Sequence, residues 1–232
     1  MTLFFDPLYL LFLAPGIILA LWAQARIGAA FRQASEVPAR SGYSGAETAQ
    51  VLLNENGLDR VIVEPTEGFL SDHYDPSNKV LRLSPDVYQG RSLAALGVAA
   101  HETGHAFQDA HGYPLLAIRN AIVPLAAFGG SISWILITLG FVFAMANLLY
   151  IGIAAFALTV LFQLVNLPVE FDASARARRH LLQTGLVTAD EDKEVGRVLR
   201  AAAWTYVAAT LTSILTLAYF LFRAGLLSSN DE

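Results

Sequence analysis

The chain alternates between long apolar runs and two polar stretches. Four runs come close to the roughly 20 apolar residues that cross a bilayer as helix. They are "PLYLLFLAPGIILALWAQA" at 7–25, "VPLAAFGGSISWILITLGFVFAM" at 123–145, "LLYIGIAAFALTVLFQLVNL" at 148–167 and "AWTYVAATLTSILTLAYFLF" at 203–222. Only Ala146 and Asn147 separate the second run from the third, which predicts a tight transmembrane hairpin. The first run ends in "ALWAQA", which is similar to the small-residue cleavage site of a signal peptide. The residues ahead of it hold Asp6 and no Lys or Arg, so it is expected to be retained as a span.

The first polar stretch, 26–120, reads as a small α-β-β-α unit. "SGAETAQVLLNENG" opens with Ser44 and Glu47 at capping-box spacing and closes at Gly57. "RVIVEP" is rich in β-branched residues and reads as a short strand. "SDHYDPSN" reads as turn. "KVLRLS" alternates apolar and basic residues, as a half-exposed strand does. Ser84-Pro85 starts a short helical turn, and Ser92 is placed to cap a helix through "SLAALGVAAHETGHAFQDA". The second polar stretch, 168–202, opens with "PVEFDASARARRHLL", where Pro168 suits the first turn of a helix.

Composition sharpens the class. Hydrophobic residues make up 55% of the 232 and charged residues only 15%, against about 25% charged in a soluble domain. A membrane protein is the expectation. The net charge of −5 is mild and argues neither for nor against nucleic acid, and no nucleic-acid partner is expected. There are no cysteines, so any metal must be held by His and carboxylate. Arg26, Arg32, Arg40, Arg119, Arg176, Arg178 and Arg179 lie near span ends on one side, while the N-terminus and the 146–147 turn carry no Lys or Arg. By the positive-inside rule that basic side is the cytoplasm. The hairpin then returns residues 168–202 to the face that holds 26–120.

Three of the five histidines fall in "HETGHAFQDAH", residues 101–111. Residues four apart share one helix face, so His101 and His105 can present two imidazoles to one ion. Glu102 is rotated about 100° from His101 and lies beside the ion. This is the H-E-x-x-H pattern of a zinc peptidase, with two His ligands and a Glu general base. A catalytic zinc takes three protein ligands and keeps one position open. His111 is six residues past His105 and off its face. Glu170 and Asp172 follow the third span on the correct side, and the residues alone leave both open as the third ligand.

"SDHYDPSNKVLRLSPDVYQGRSLAALGVAAHETGHAFQDAHGYPL" together with "LPVEFDASARARRHL" closely resembles the YugP-like neutral zinc metallopeptidase family of bacterial membrane proteins. More distantly, the chain is similar to the HtpX-type and CAAX prenyl endopeptidases. In those, a downstream E-x-x-x-D pattern supplies the third zinc ligand through its Glu. That register reads "EFDAS" here, so the resemblance implies Glu170 as the ligand and puts Ser174 where the distant families have an orienting Asp. Asp109 or Asp172 is then the candidate to orient a ligand imidazole. The resemblance also implies that a strand near the active-site helix, here "KVLRLS", pairs with extended substrate.

The expected architecture is a mainly α membrane protein of about four transmembrane helices with a small zincin-like α+β metalloprotease unit at the membrane face. The expected parts are a first span at 1–25, a cytoplasmic segment at 26–120, the hairpin at 121–167, a cytoplasmic helical segment at 168–202, and the fourth span with a short tail at 203–232. The expected function is gluzincin-like: zinc-dependent hydrolysis of peptide bonds in membrane or membrane-proximal proteins. One Zn²⁺ per chain would be held by His101, His105 and Glu170, with Glu102 as general base. His73, Arg176 and His180 are the candidate oxyanion donors. The expected location is the plasma membrane, with the site on the cytoplasmic side. A catalytically silent, zinc-stabilised membrane scaffold is the competing reading, and the sequence leaves oligomeric state open.

Overall fold

A computed structural model describes residues 6–68 and 71–226. The chain is mainly helical, with four helices long and apolar enough to cross a membrane: α1 (Pro7–Ser35), α5 (Pro114–Val142), α6 (Ala146–Gln183) and α7 (Ala189–Arg223). Between α1 and α5 lie α2 (Gly45–Glu55), β1 (Ile62–Pro65), β2 (His73–Asp75), β3 (Val80–Leu83), α3 (Pro85–Tyr88) and α4 (Leu93–Ala110). The protein is thus an α-helical membrane protein carrying a small α+β unit.

The chain gathers into two compact units. The first takes the chain up to Ala23, then Ala117–Leu167, then the chain from Thr205. Its core joins Tyr9, Leu13, Ile137, Phe156, Tyr219 and Phe220. Trp134, Phe156 and Phe220 meet edge to face, with centroids 5.4 to 6.1 Å apart. Large apolar side chains such as Leu11, Leu21, Phe128 and Ile151 face outward, as lipid-facing residues do. Gly140 and Gly152 let the two hairpin helices touch: a Cβ on Gly140 would stand 2.7 Å from Leu149 N. Gly129 and Gly130 also face α6 of the same chain, against Ala155 O and Thr159 Oγ1.

The second unit takes Gln24–Leu116 and Pro168–Trp204. Ser44 caps α2 in a full capping box, its Oγ accepting from Glu47 N and the Glu47 carboxylate accepting from Ser44 N. Ser92 caps α4. The strands form one sheet in the order β1-β3-β2, with β1 parallel and β2 antiparallel to β3. One side of α4 packs Ala99 and Ala106 with Leu53, Leu81 and Leu83 of α2 and the sheet. The other packs Leu96, Ala100 and Phe107 against Ala177, Leu181, Val195 and Leu199 of α6 and α7. Phe107 is fully buried, worth roughly 2–3 kcal/mol of transfer free energy. The chemistry-bearing helix is therefore held on both faces.

Four expectations are corrected. "SDHYDPSN" contains a strand, β2, whose His73 pairs with Arg82. The turn that follows is held by Asp75, which accepts from Asn78 Nδ2, Asn78 N and Ser77 N. Those Asn78 bonds, with Ser77 and Arg82 contributing, hold the Asp75 carboxyl down to about 2. Secondly, β3 is not a half-exposed strand with a free edge. Both its edges are paired and Val80, Leu81 and Leu83 are buried, so it has no main-chain groups left for a substrate. Thirdly, the hairpin turn is Phe143–Met145 rather than 146–147, with Ala144 at φ 53° and α6 already under way at Ala146. Lastly, Pro168 starts no helix. A proline removes one backbone donor, which a long membrane helix tolerates, and α6 runs through it for 38 residues.

Candidate metal centre

Glycine and alanine on α4 let α6 approach closely. A Cβ on Gly104 would stand 2.5 Å from Ala173 O, so this crossing needs glycine. His101 and His105 lie one turn apart on the α6-facing side of α4, and Glu170 faces them from α6. His101 Nε2 is 3.2 Å from Glu170 Oε2, and His105 Nε2 is 3.7 Å from Glu170 Oε1. The rings meet edge to face with centroids 5.0 Å apart. One ligand atom from each of the three residues lies within 4.8 Å of the others. His105 and Glu170 are buried and His101 is nearly so.

The far nitrogen of each ring is also placed. His101 Nδ1 lies 3.1 Å from Ser174 Oγ. His105 Nδ1 lies 2.9 Å from Gln108 Oε1. Gln108 Nε2 donates to Val169 O at 2.7 Å and to Asp172 Oδ2 at 2.9 Å. Arg176 Nε donates to the same Asp172 oxygen at 2.6 Å.

The donor types fit a zinc ion, which takes His nitrogen and carboxylate oxygen. The two imidazoles lie 3.2 and 3.7 Å from the two Glu170 oxygens, and one ligand atom per residue falls within 4.8 Å of the others. With each Nδ1 on a neighbour, both Nε2 atoms converge with a carboxylate. Two imidazole nitrogens and a carboxylate so placed share a cation or a proton. The electrostatics agree. Burial favours the neutral His105 ring, but the Glu170 and Glu102 carboxylates outweigh it and raise the ring's pKa. Burial likewise opposes ionisation of Glu170, yet the two imidazoles hold its carboxyl well below the usual carboxylate range.

Glu102 follows His101 on α4, is half-buried, and makes no hydrogen bond or ion pair among the described residues. Asp109 does not orient an imidazole: it accepts from Tyr74 Oη at 2.7 Å and Lys79 Nζ at 2.5 Å. Asp172 reaches His105 only through Gln108. His111 caps the C-terminus of α4, with Nδ1 donating to Phe107 O at 2.6 Å. The three candidate oxyanion donors are all engaged. His73 is exposed on β2, its Nδ1 donating to Ser71 O. Arg176 is held by Asp172 and lies over the Tyr113 ring. His180 stacks on Phe107 and meets Asn56. Gln108 was not singled out from the sequence. Its signal was an amide three residues after His105 in a helix otherwise packed with Ala and Gly.

Residues 9–225 match the family described as "Putative neutral zinc metallopeptidase". The chain is also similar to a curated protein of Bacillus subtilis (strain 168) named "Putative membrane protease YugP". The two are 44% identical over 214 residues, which covers 92% of this chain and 94% of that protein. No solved structure matches this chain.

Proposed function

The chain belongs to the family of neutral zinc metallopeptidases, and from that premise we propose that His101, His105 and Glu170 hold one Zn²⁺ for peptide-bond hydrolysis with Glu102 as general base. The observation that carries this reading is the convergence of two imidazoles and one carboxylate within 4.8 Å, beside the half-buried Glu102, which has no ion-pair partner among the described residues. An ion held there would supply a lowered water pKa and polarisation of a scissile carbonyl. The Glu102 carboxylate takes the proton from the attacking water and delivers one to the leaving amine nitrogen. The two imidazoles stay fixed because their outer nitrogens meet Ser174 and Gln108, and the helices that carry all three ligands meet at Gly104. Three protein ligands leave one coordination position open, which suits catalysis and not a closed structural site.

The substrates are peptide bonds in membrane or membrane-proximal proteins. Support comes from α6, whose apolar part leads without a break into the turn bearing Glu170. With β3 paired on both sides, β2, whose outer edge is unpaired among the described residues, is the strand that extended substrate would join, and it is tied to α4 through the Tyr74–Asp109 bond. The reading has this unit on the cytoplasmic side of the plasma membrane, supported by the positive-inside bias of the basic residues at 26–119 and 176–200.

The test is zinc content and casein cleavage by detergent-purified protein. Glu102→Gln should bind zinc as wild type does and lose cleavage by about 10²–10⁴-fold. Glu170→Ala should lose zinc. Unchanged cleavage by zinc-loaded Glu102→Gln would sink the mechanism.

A further inference from the structure

The side chain of Gln108 is fully buried next to the candidate ligands, and its neighbours dictate its orientation. Val169 O and Asp172 Oδ2 lie 2.7 and 2.9 Å from one end of the amide. Both are acceptors, so the NH₂ group must face them. A flipped amide would set its oxygen against a carbonyl and a carboxylate. Oε1 therefore faces His105 Nδ1 at 2.9 Å. A carbonyl oxygen only accepts, so the proton of the neutral ring sits on Nδ1 and the lone pair sits on Nε2, toward Glu170.

We propose that Gln108 is a positioning residue that fixes the ligand tautomer of His105 and relays the Asp172 carboxylate to that ring through a neutral amide. The role rests on the metal-centre reading above and adds a part to it. The same amide holds two ligands at once. It orients His105 directly, and through Val169 O it ties α4 to the residue preceding Glu170. Asp172 is anchored from its far side by Arg176, so the run Arg176–Asp172–Gln108–His105 joins α6 to α4.

An amide is required at this position. A carboxylate at 108 could still accept from His105. It would also face Asp172 and Val169 O, so like charge would oppose like charge in a buried place. An amide at 172 can keep an oxygen toward Gln108 Nε2 and Arg176 Nε, which share one acceptor atom, so Asp172→Asn removes only the charge behind the run.

The experiment compares wild type, Gln108→Met, Gln108→Glu and Asp172→Asn in detergent. Zinc affinity is read by competition with a chromophoric chelator, ligand geometry by the absorption spectrum of the Co²⁺-loaded protein, and folding by circular-dichroism melting. Gln108→Met should weaken zinc by about 10–100-fold, the range for lost ligand-orienting partners, and alter the Co²⁺ spectrum. Gln108→Glu should lose at least as much, and Asp172→Asn, which keeps the amide in place and removes the charge behind it, should weaken zinc by less than Gln108→Met. A folded Gln108→Met with wild-type zinc affinity and spectrum overturns the proposal, as does Asp172→Asn with wild-type zinc affinity. If Gln108→Met does not fold, Gln108→Glu and Asp172→Asn decide alone. Wild type that binds no zinc removes the metal centre itself and this role with it, an outcome distinct from variants that match a zinc-binding wild type.

Discussion

Ala173 O lies 2.5 Å from where a Cβ on Gly104 would stand, at the crossing of the two helices that carry His105 and Glu170. The obstructing atom is backbone, so neither side can yield by a rotamer change. Gly104→Ala must push α4 and α6 apart at the site. The expected cost is about 1–3 kcal/mol, typical of overpacking, with zinc affinity reduced by about tenfold or more. Gly97→Ala is the control. There the added methyl meets the Val195 side chain and no backbone, nearest at 3.2 Å from Cγ1, so its effect on zinc should be much smaller. Thermal melts and zinc titrations of both variants check this.

Ser174 stands 3.1 Å from His101 Nδ1. A hydroxyl is a weaker acceptor than a carboxylate, and a carboxylate behind a ligand imidazole raises its basicity. Ser174→Asp should therefore tighten zinc, by about tenfold. Ser174→Ala, which leaves Nδ1 without this partner, should loosen it by a similar factor. A chelator competition measures both. Equal affinities in all three proteins would mean that position 174 does not act on the ring.

The chain's helix signals were legible because they are local. Ser44 and Glu47 announced a cap, Ser92 announced another, and the His101–His105 spacing needed only the pitch of one helix. What stayed hidden depends on partners far along the chain. "KVLRLS" reads as half-exposed because Arg82 breaks its apolar pattern, yet Arg82 is neutralised by Glu64 and Asp75 from the two flanking strands. Pro168 reads as a helix start because proline is favoured there, but a helix already formed through an apolar span absorbs one missing donor. Gln108 reads as a polar residue on a buried helix, and only Val169 and Asp172, more than 60 residues on, show what it holds.

His180 gives a pH dependence with a definite sign. Its ring stacks on Phe107 at 4.4 Å and approaches Asn56. Burial first, and then the charges of Arg179, Arg176 and His111, lower its pKa. Below about pH 6.5, the ordinary value for histidine, the unfolded chain takes up a proton that folded His180 refuses. The unfolded state then binds more protons, so stability falls as pH drops from about 6.5 toward the folded pKa. Above 6.5 the term is absent. His180→Gln removes it, so between pH 8 and pH 5 the melting temperature of wild type should fall further than that of the variant. Parallel curves would remove His180 from the account. Comparing the two proteins also cancels the opposite contribution of His105, whose pKa is raised.

The absence of cysteine from the chain makes its sidedness directly measurable. The hairpin turn Phe143–Met145 and the exposed end of α2 should lie on opposite sides of the membrane. Met145→Cys and Glu55→Cys put single thiols at exposed positions in the two places. Gly45 is unsuitable, since any Cβ there would collide with Val87 O. In intact cells a membrane-impermeant maleimide should label Met145→Cys and leave Glu55→Cys unlabelled until lysis. The reverse pattern would put the metal centre outside the cell. The seven arginines near the span ends would then face outward against the positive-inside bias, and the substrates would have to be sought among extracellular proteins.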